Sequence, residues 1–301
     1  MIFLLRTSSF LLHRATAPAN NPYLFCETII MVIVEVAAAV ALWGYHSAAL
    51  QLPRSTRVWL SVAVALYALC RLFRAPAMRQ NQRFHDFADR RAWCCGLPNS
   101  SDVLSNLAFL LALLPCYQVL YERGFPAHEP CERNAHLWAF LGVAGVAVGS
   151  AYYHLRPSDG RLAWDRMPMT VAFTSLLSIA LSETIGTGVG CASLCPLVLS
   201  GVASVAYWAR TGDLRPYYAS QYLSLGMVAF LHVTFEARYT YRALGYGSVL
   251  CVYAAAKVAE ASDKEIFTAT GRAMSGHTLK HLLAAAAMLC FYAHLLTRAP
   301  L

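Results

Sequence analysis

Charge is scarce in this sequence: 13% of its 301 residues are Asp, Glu, Lys or Arg, against 58% that are hydrophobic. Soluble domains carry about 25% charged residues. A soluble chain of 33.0 kDa could not cover that much apolar surface, so lipid is the solvent the composition calls for. Acidic residues are absent before Glu27. No CxxC pair occurs, and the ten cysteines are scattered. Cys70, Cys116, Cys251 and Cys290 lie inside apolar runs, where cysteine acts as a small hydrophobe. Neither the adjacent Cys94 and Cys95 nor the pair Cys191 and Cys195 completes a secreted disulfide framework, so the cysteines are expected to stay reduced. No repeat of solenoid length is present. The net charge is +8, but its basic residues form short clusters between apolar runs. That pattern excludes nucleic acid as the partner and fits anionic lipid head groups.

A bilayer core about 30 Å thick takes roughly 20 apolar residues of helix. Candidate spans are 29–50, 57–74, 103–121, 136–155, 167–185, 190–208, 217–236, 239–258 and 279–297. The runs are too long and too unalternating for barrel strands. The expected fold is therefore an all-α integral membrane protein, multi-pass, with a seven-transmembrane-helix core over 103–301. Residues 29–75 add one or two N-terminal hydrophobic helices. The tail 1–28 is basic and rich in Ser and Thr, as in an organelle transit peptide or a short disordered tail. Span 29–50 carries Glu35, which makes a signal anchor or a surface helix an alternative to a true crossing. Residues 76–102, polar and rich in arginine, read as a membrane-surface segment.

Lys and Arg sort strongly between the two faces. Arg71, Arg74, Arg79, Arg83, Arg90 and Arg91 lead into the first core span, and Arg156, Arg161, Arg210 and Arg215 lie in loops of the same face. The positive-inside rule makes that face cytoplasmic.

Polar residues gather near that face. Ser150 and His154 end the second core span, Asp165 starts the third, and His277 and His281 start the seventh. Ser105 and Asn106 start the first. Even spans end, and odd spans begin, on one side, so parity brings all of these to a common depth. His277 and His281, at i and i+4, project from one helix face. With His154 they would complete the three-histidine ligand set of an open catalytic zinc. Ser150 sits one turn deeper than His154, and Asp165 can return across a tight loop. Each has a plainer reading. Asp165 could cap a helix ahead of Pro168, and Ser150 lies in the small-residue stretch 142–151, where serine serves close packing. His232 and His294 have no matching partners and are expected to satisfy helix–helix hydrogen bonds. Lys257, Glu260 and Asp263 read as an interfacial salt-bridge face, with a place at a pocket mouth as the alternative. Tyr217, Tyr218 and Gln221 read as part of an aromatic belt, or as head-group contacts.

In the motifs GSAYYHL (149–155), AWDRMPM (163–169) and SGHTLKHLL (275–283), with DVLSNLAF (102–109), the chain resembles the alkaline ceramidase family, within the superfamily that includes the progestin and adipoQ receptors. The resemblance covers roughly 84–297. It implies zinc on His154, His277 and His281, a proton-handling Asp165, an oxyanion-stabilising Ser150, and hydrolysis of a ceramide amide to a sphingoid base and a fatty acid. Two departures stand out. Arg166 follows the key Asp where the family has an acid, and Arg90 and Arg91 occupy a stretch where many members carry acids that bind calcium. The resemblance thus implies zinc and a lipid-amide substrate but does not extend to calcium, and the divergent stretches HDFAD (85–89) and DLRPYY (213–218) leave the substrate open. A receptor-like or scaffold protein that keeps the zinc site without turnover is the alternative, and a transporter a third. Ser150 and Asp165 together favour the enzyme, since a structural zinc needs neither. No inverted repeat of broken helices supports transport.

Overall fold

The computed structural model describes residues 52–121, 129–236, 238–240 and 246–300. The tail 1–28, the stretch 29–50 and the linker 123–126 lie outside the described residues. Helix α1 covers Arg54–Arg74. Helix α2, Ser100–Tyr121, is α-helical to Ser105, 3₁₀ over Asn106–Ala112 and α-helical again to its end. Helices α3 (Pro130–Leu155), α4 (Asp159–Thr184) and α5 (Thr187–Thr211) follow. Helix α6 spans 215–234, with a π-helical turn at Ala219–Leu223. Helices α7 (Tyr246–Ala261), the short α8 (Asp263–Ala269) and α9 (Gly276–Thr297) complete the set. The sole extended pairing among the described residues joins β1 (Tyr239–Thr240) antiparallel to β2 (Ala299–Pro300).

Among the described residues five helices, α1, α2, α3, α5 and α9, are long and apolar enough to cross a membrane. The others fall short for separate reasons. Helix α7 has 16 residues, about 24 Å at 1.5 Å per residue. Helix α6 is broken by its π turn. Helix α4 is long but polar, because it is the central post, packed on α3, α5 and α6. Its Thr170, Thr174, Ser175, Ser178 and Ser182 are buried against protein, and Thr174 and Thr184 return their hydroxyls to carbonyls of their own helix. By contrast α1 exposes Trp59, Leu66 and Tyr67, an apolar flank suited to lipid.

Small residues let α3 and α4 touch backbone to backbone. A Cβ on Gly142 would lie 2.6 Å from the Ala172 nitrogen, and one on Gly149 would lie 2.2 Å from the Trp164 carbonyl oxygen. The small-residue stretch of α3 therefore sets the helix spacing, as in close-packed membrane helices.

At the end of the bundle remote from the histidine triad, Cys131 and Cys191 form a disulfide that ties the start of α3 to the start of α5, with Cα atoms 5.5 Å apart. This corrects the expectation that all the cysteines stay reduced: the two thiols are 60 residues apart in sequence, and only the packing of α3 and α5 on α4 brings them together. On the same end Arg298 is buried between Glu183 (Nη1 to Oε1, 2.6 Å) and Glu132 (Nη2 to Oε1, 3.2 Å). The Tyr239 hydroxyl donates to Glu132 at 3.1 Å. His294 Nε2 lies 2.7 Å from Ser248 Oγ, a helix–helix hydrogen bond as expected. His232 instead turns to the Val228 carbonyl of its own helix, with Glu183 at 3.4 Å.

Candidate metal centre and adjoining cavity

His154 ends α3, and His277 and His281 stand one turn apart at the start of α9. Their ligand atoms lie within 4.8 Å of one another, and all three side chains are buried. The ends that carry them are held by local capping. Ser275 accepts the Thr278 N–H and so starts α9. Asp263 accepts the His277 N–H at 2.8 Å. Close approach does the rest: a Cβ on Gly276 would sit 2.2 Å from the Ala259 carbonyl oxygen, so α9 begins in contact with α7. The buried Asp102 accepts from Thr278 at 2.6 Å and from Ser275 at 3.3 Å. This carboxylate at a helix N-terminus is a positioning group that sequence reasoning missed, although it opens the motif 102–109.

The ring nitrogens suit a metal. His154 Nε2 and His277 Nε2 face each other at 3.2 Å. Ser105 Oγ gives its own proton to the Asp102 carbonyl (3.1 Å) and lies 2.8 Å from His281 Nδ1. It therefore accepts from that Nδ1–H, which leaves the Nε2 lone pair of His281 free, as a hydrogen-bonded imidazole ligand requires. That Nε2 is buried with no hydrogen-bond partner. Three converging imidazoles, with His281 Nε2 left without a partner, offer the donor set of a zinc-type ion.

Asp165 and Ser150 are where parity placed them. Both are buried, they lie within side-chain reach of each other, and both line one cavity with His281. The capping alternative for Asp165 is overturned: α4 starts at Asp159, capped by Ser158, whose Oγ accepts the Arg161 N–H. Asp165 lies two turns inside. Ser150 follows Gly149, whose missing side chain brings Asp165 close: a Cβ there would be 3.3 Å from the Asp165 Cα.

The cavity measures about 580 Å³, within the range of small-molecule sites. From its polar end it runs between α2, α3, α4, α6, α7 and α9 along Phe109, Phe140, Met169, Phe173, Met288 and Phe291. Its wall includes Val258, which is exposed on the outer flank of α7. Tyr217, Tyr218 and Gln221 are buried and line it. The aromatic-belt reading of these three is therefore corrected: the first turns of α6 face them inward, Tyr217 and Tyr218 just before the π turn and Gln221 within it. The expected salt-bridge face divides too. Glu260 pairs with Lys257 and with Lys280 (2.8 Å) on the cavity wall. Asp263 belongs to α8 and accepts backbone N–H groups of His277 and Ala88 instead.

The segment before α2 does more than lie on a surface. Phe87 packs its ring 4.6 Å from that of His154 and 4.5 Å from that of His277, and is buried. It is pinned on both sides: His85 bonds the Tyr153 hydroxyl (2.8 Å) and Asp159 (3.0 Å), while Ala88 N–H reaches Asp263. Asn99 donates to the His154 carbonyl at 2.7 Å. The segment closes the histidine cluster from its own side of the bundle. Its acids are taken up by cations. Asp86 pairs with Arg90 and Lys264, and Asp89 with Arg91. The hydrogen bond from Lys264 holds the Asp86 carboxyl below its ordinary value. For Asp89, burial pushes upward, but hydrogen bonds from Arg91 and Ser101 outweigh it and hold the carboxyl low. Among the described residues no second cluster of His, Cys, Asp or Glu has metal-binding geometry.

Comparison with protein-family models, with curated proteins and with solved structures finds no match for this chain.

Proposed function

We propose that this chain is a zinc-dependent intramembrane amidohydrolase that cleaves an N-acyl lipid of the ceramide kind into a fatty acid and an amine. On this reading helices α2, α3, α4, α5, α6, α7 and α9 form a seven-helix membrane core, with α1 outside it. The observation that carries the reading is the shared cavity, where a carboxylate and a hydroxyl that are not metal ligands line one largely apolar space with His281, a member of the converging histidine triad. The motif resemblance to the alkaline ceramidases supports it.

His154, His277 and His281 would hold the ion, which supplies Lewis acidity and an activated water. The cavity wall from Phe109 to Phe291 accepts the acyl chain and brings the amide to its polar end. Asp165 takes the proton of the attacking water on a carboxylate oxygen. The water oxygen joins the carbonyl carbon, and Ser150 Oγ–H donates to the carbonyl oxygen as charge develops there. Asp165 returns its proton to the nitrogen, the C–N bond breaks, and the amine leaves. Phe87 and its flanking hydrogen bonds keep bulk water off the histidines.

The site faces the cytoplasm. Two independent features support this: the arginine-rich loops lie on the site side, and the Cys131–Cys191 disulfide lies at the other end, where an oxidising compartment would preserve it. The direct test is fatty-acid release from N-acyl lipids by purified protein. Wild type should turn over, and Asp165→Asn should keep its metal yet lose about 10²–10⁴-fold of the rate. Metal retention with no hydrolysis in wild type would transfer support to the receptor-like reading.

A further inference from the structure

The polar end of the cavity carries more positive charge than hydrolysis of a neutral amide needs. Arg166 lines it and is 4% exposed. Its guanidinium is clamped at 4.4 Å from the Trp208 ring and 4.6 Å from the Tyr217 ring, and its Nη2 donates to Gln80 Oε1 at 2.7 Å. It makes no ion pair with any described carboxylate, and its Nη1 is buried without a hydrogen-bond partner. Lys257 and Lys280 line the same cavity and share the single carboxylate of Glu260. Lys280 Nζ also approaches His277 Nε2 at 3.4 Å, which sets an ammonium beside the reacting end. Three cations thus stand on this wall against Asp165 and Glu260, before any metal is counted.

A buried guanidinium without an ion-pair partner is costly, and among the described residues no carboxylate pairs with it directly. An acyl chain common to several lipids does not tell one head group from another. Selection therefore falls to the polar end. A neutral sphingoid head would bring only hydroxyls to Arg166.

Resting on the proposed amidohydrolase reading, we infer that the preferred substrate is an anionic N-acyl lipid, with a carboxylate or phosphate near its amide that is received by Arg166 and the Lys257–Lys280 pair. A guanidinium takes such planar or tetrahedral oxyanions through paired N–H bonds, and stacking on Trp208 and Tyr217 fixes its plane beforehand. Water adds across the amide as above, so an N-acyl amino acid would yield a fatty acid and the free amino acid.

The test uses one acyl chain on three heads: a neutral ceramide, an N-acyl amino acid and a ceramide phosphate. Full-length purified wild type should show kcat/KM at least about tenfold higher for one of the anionic lipids than for the neutral one, and which one it is distinguishes carboxylate from phosphate. Arg166→Gln should collapse that ratio, with the anionic rate falling about 10–100-fold; Lys257→Gln should lower it less. A ratio at or below one in wild type, or one that Arg166→Gln leaves intact, overturns the inference while the amidohydrolase reading stands. If no lipid is cleaved, that reading falls, and equilibrium binding of the same lipids decides the inference alone. Tighter binding of an anionic lipid that is lost in Arg166→Gln upholds it, and equal binding of all three overturns it.

Discussion

Replacing Gly149 by alanine should damage the site without touching any reactive atom. The new Cβ would sit 2.2 Å from the Trp164 carbonyl oxygen, 2.9 Å from the Trp164 carbonyl carbon and 3.3 Å from the Asp165 Cα. These are backbone atoms of α4 and cannot rotate away. Against a normal separation of about 3.5 Å, α3 and α4 must part locally by about 1 Å. Ser150 rides on α3 next to the substitution, and Asp165 on α4 faces it. Their spacing opens by the same amount, and a misplacement of about 1 Å can cost about 10²-fold in rate. Overpacking should also cost about 1–3 kcal/mol of stability. The assay is fatty-acid release with thermal unfolding measured on the same detergent preparation. Gly160→Ala is the control, since a Cβ there meets nothing within 4 Å; it should keep wild-type turnover. Full turnover with an unshifted unfolding midpoint in Gly149→Ala would refute the claim that this contact sets the catalytic spacing.

Other consequences can be checked separately. Ser105→Ala removes the acceptor for His281 Nδ1–H and should weaken metal affinity about 10–100-fold, read by competition with a chelator; unchanged affinity would detach Ser105 from the site. Under non-reducing conditions Cys131 and Cys191 should resist alkylation while the exposed Cys95 reacts, and Cys131→Ser should cost about 2–4 kcal/mol by thermal unfolding. Asp89, held low by Arg91 and Ser101, favours the folded state above the ordinary Asp value of 3.8 and loses that contribution as pH falls below it. Acid lability in this window should therefore be weaker in Asp89→Asn, and an identical acid profile in the two proteins would show that the carboxylate is not what titrates.

The sequence was most legible where a long-range result follows from a local rule. Helix parity and the i,i+4 spacing placed His154, His277 and His281 together, and the same parity brought Ser150 and Asp165 to one cavity. Ser105, assigned only a depth, turned out to orient His281. Legibility failed where partners are chosen by packing alone. Nothing in the spacing of Cys131 and Cys191 announces a bond, and no local pattern marks Arg298, which is buried between two glutamates. The stretch 76–102 has the composition of a surface segment. Phe87 packs on two of the histidines, and a single aromatic carries no periodic signal. Tyr217, Tyr218 and Gln221 face inward onto the cavity, and their aromatic and polar composition alone does not separate a cavity wall from a membrane interface. Asp263 keeps register with Lys257 and Glu260 on paper, but the helix ends at Ala261 and the carboxylate turns to cap α9.

Metal dependence of lipid-amide hydrolysis tests the central claim most directly. Purified protein is stripped with a chelator, then titrated with zinc while bound metal and fatty-acid release are followed in the same sample. Hydrolysis should vanish on stripping and return in proportion to zinc, saturating at one ion per chain, with His277→Ala neither binding nor recovering. Hydrolysis that persists in fully stripped protein, or zinc uptake that His277→Ala leaves unchanged, would contradict the account.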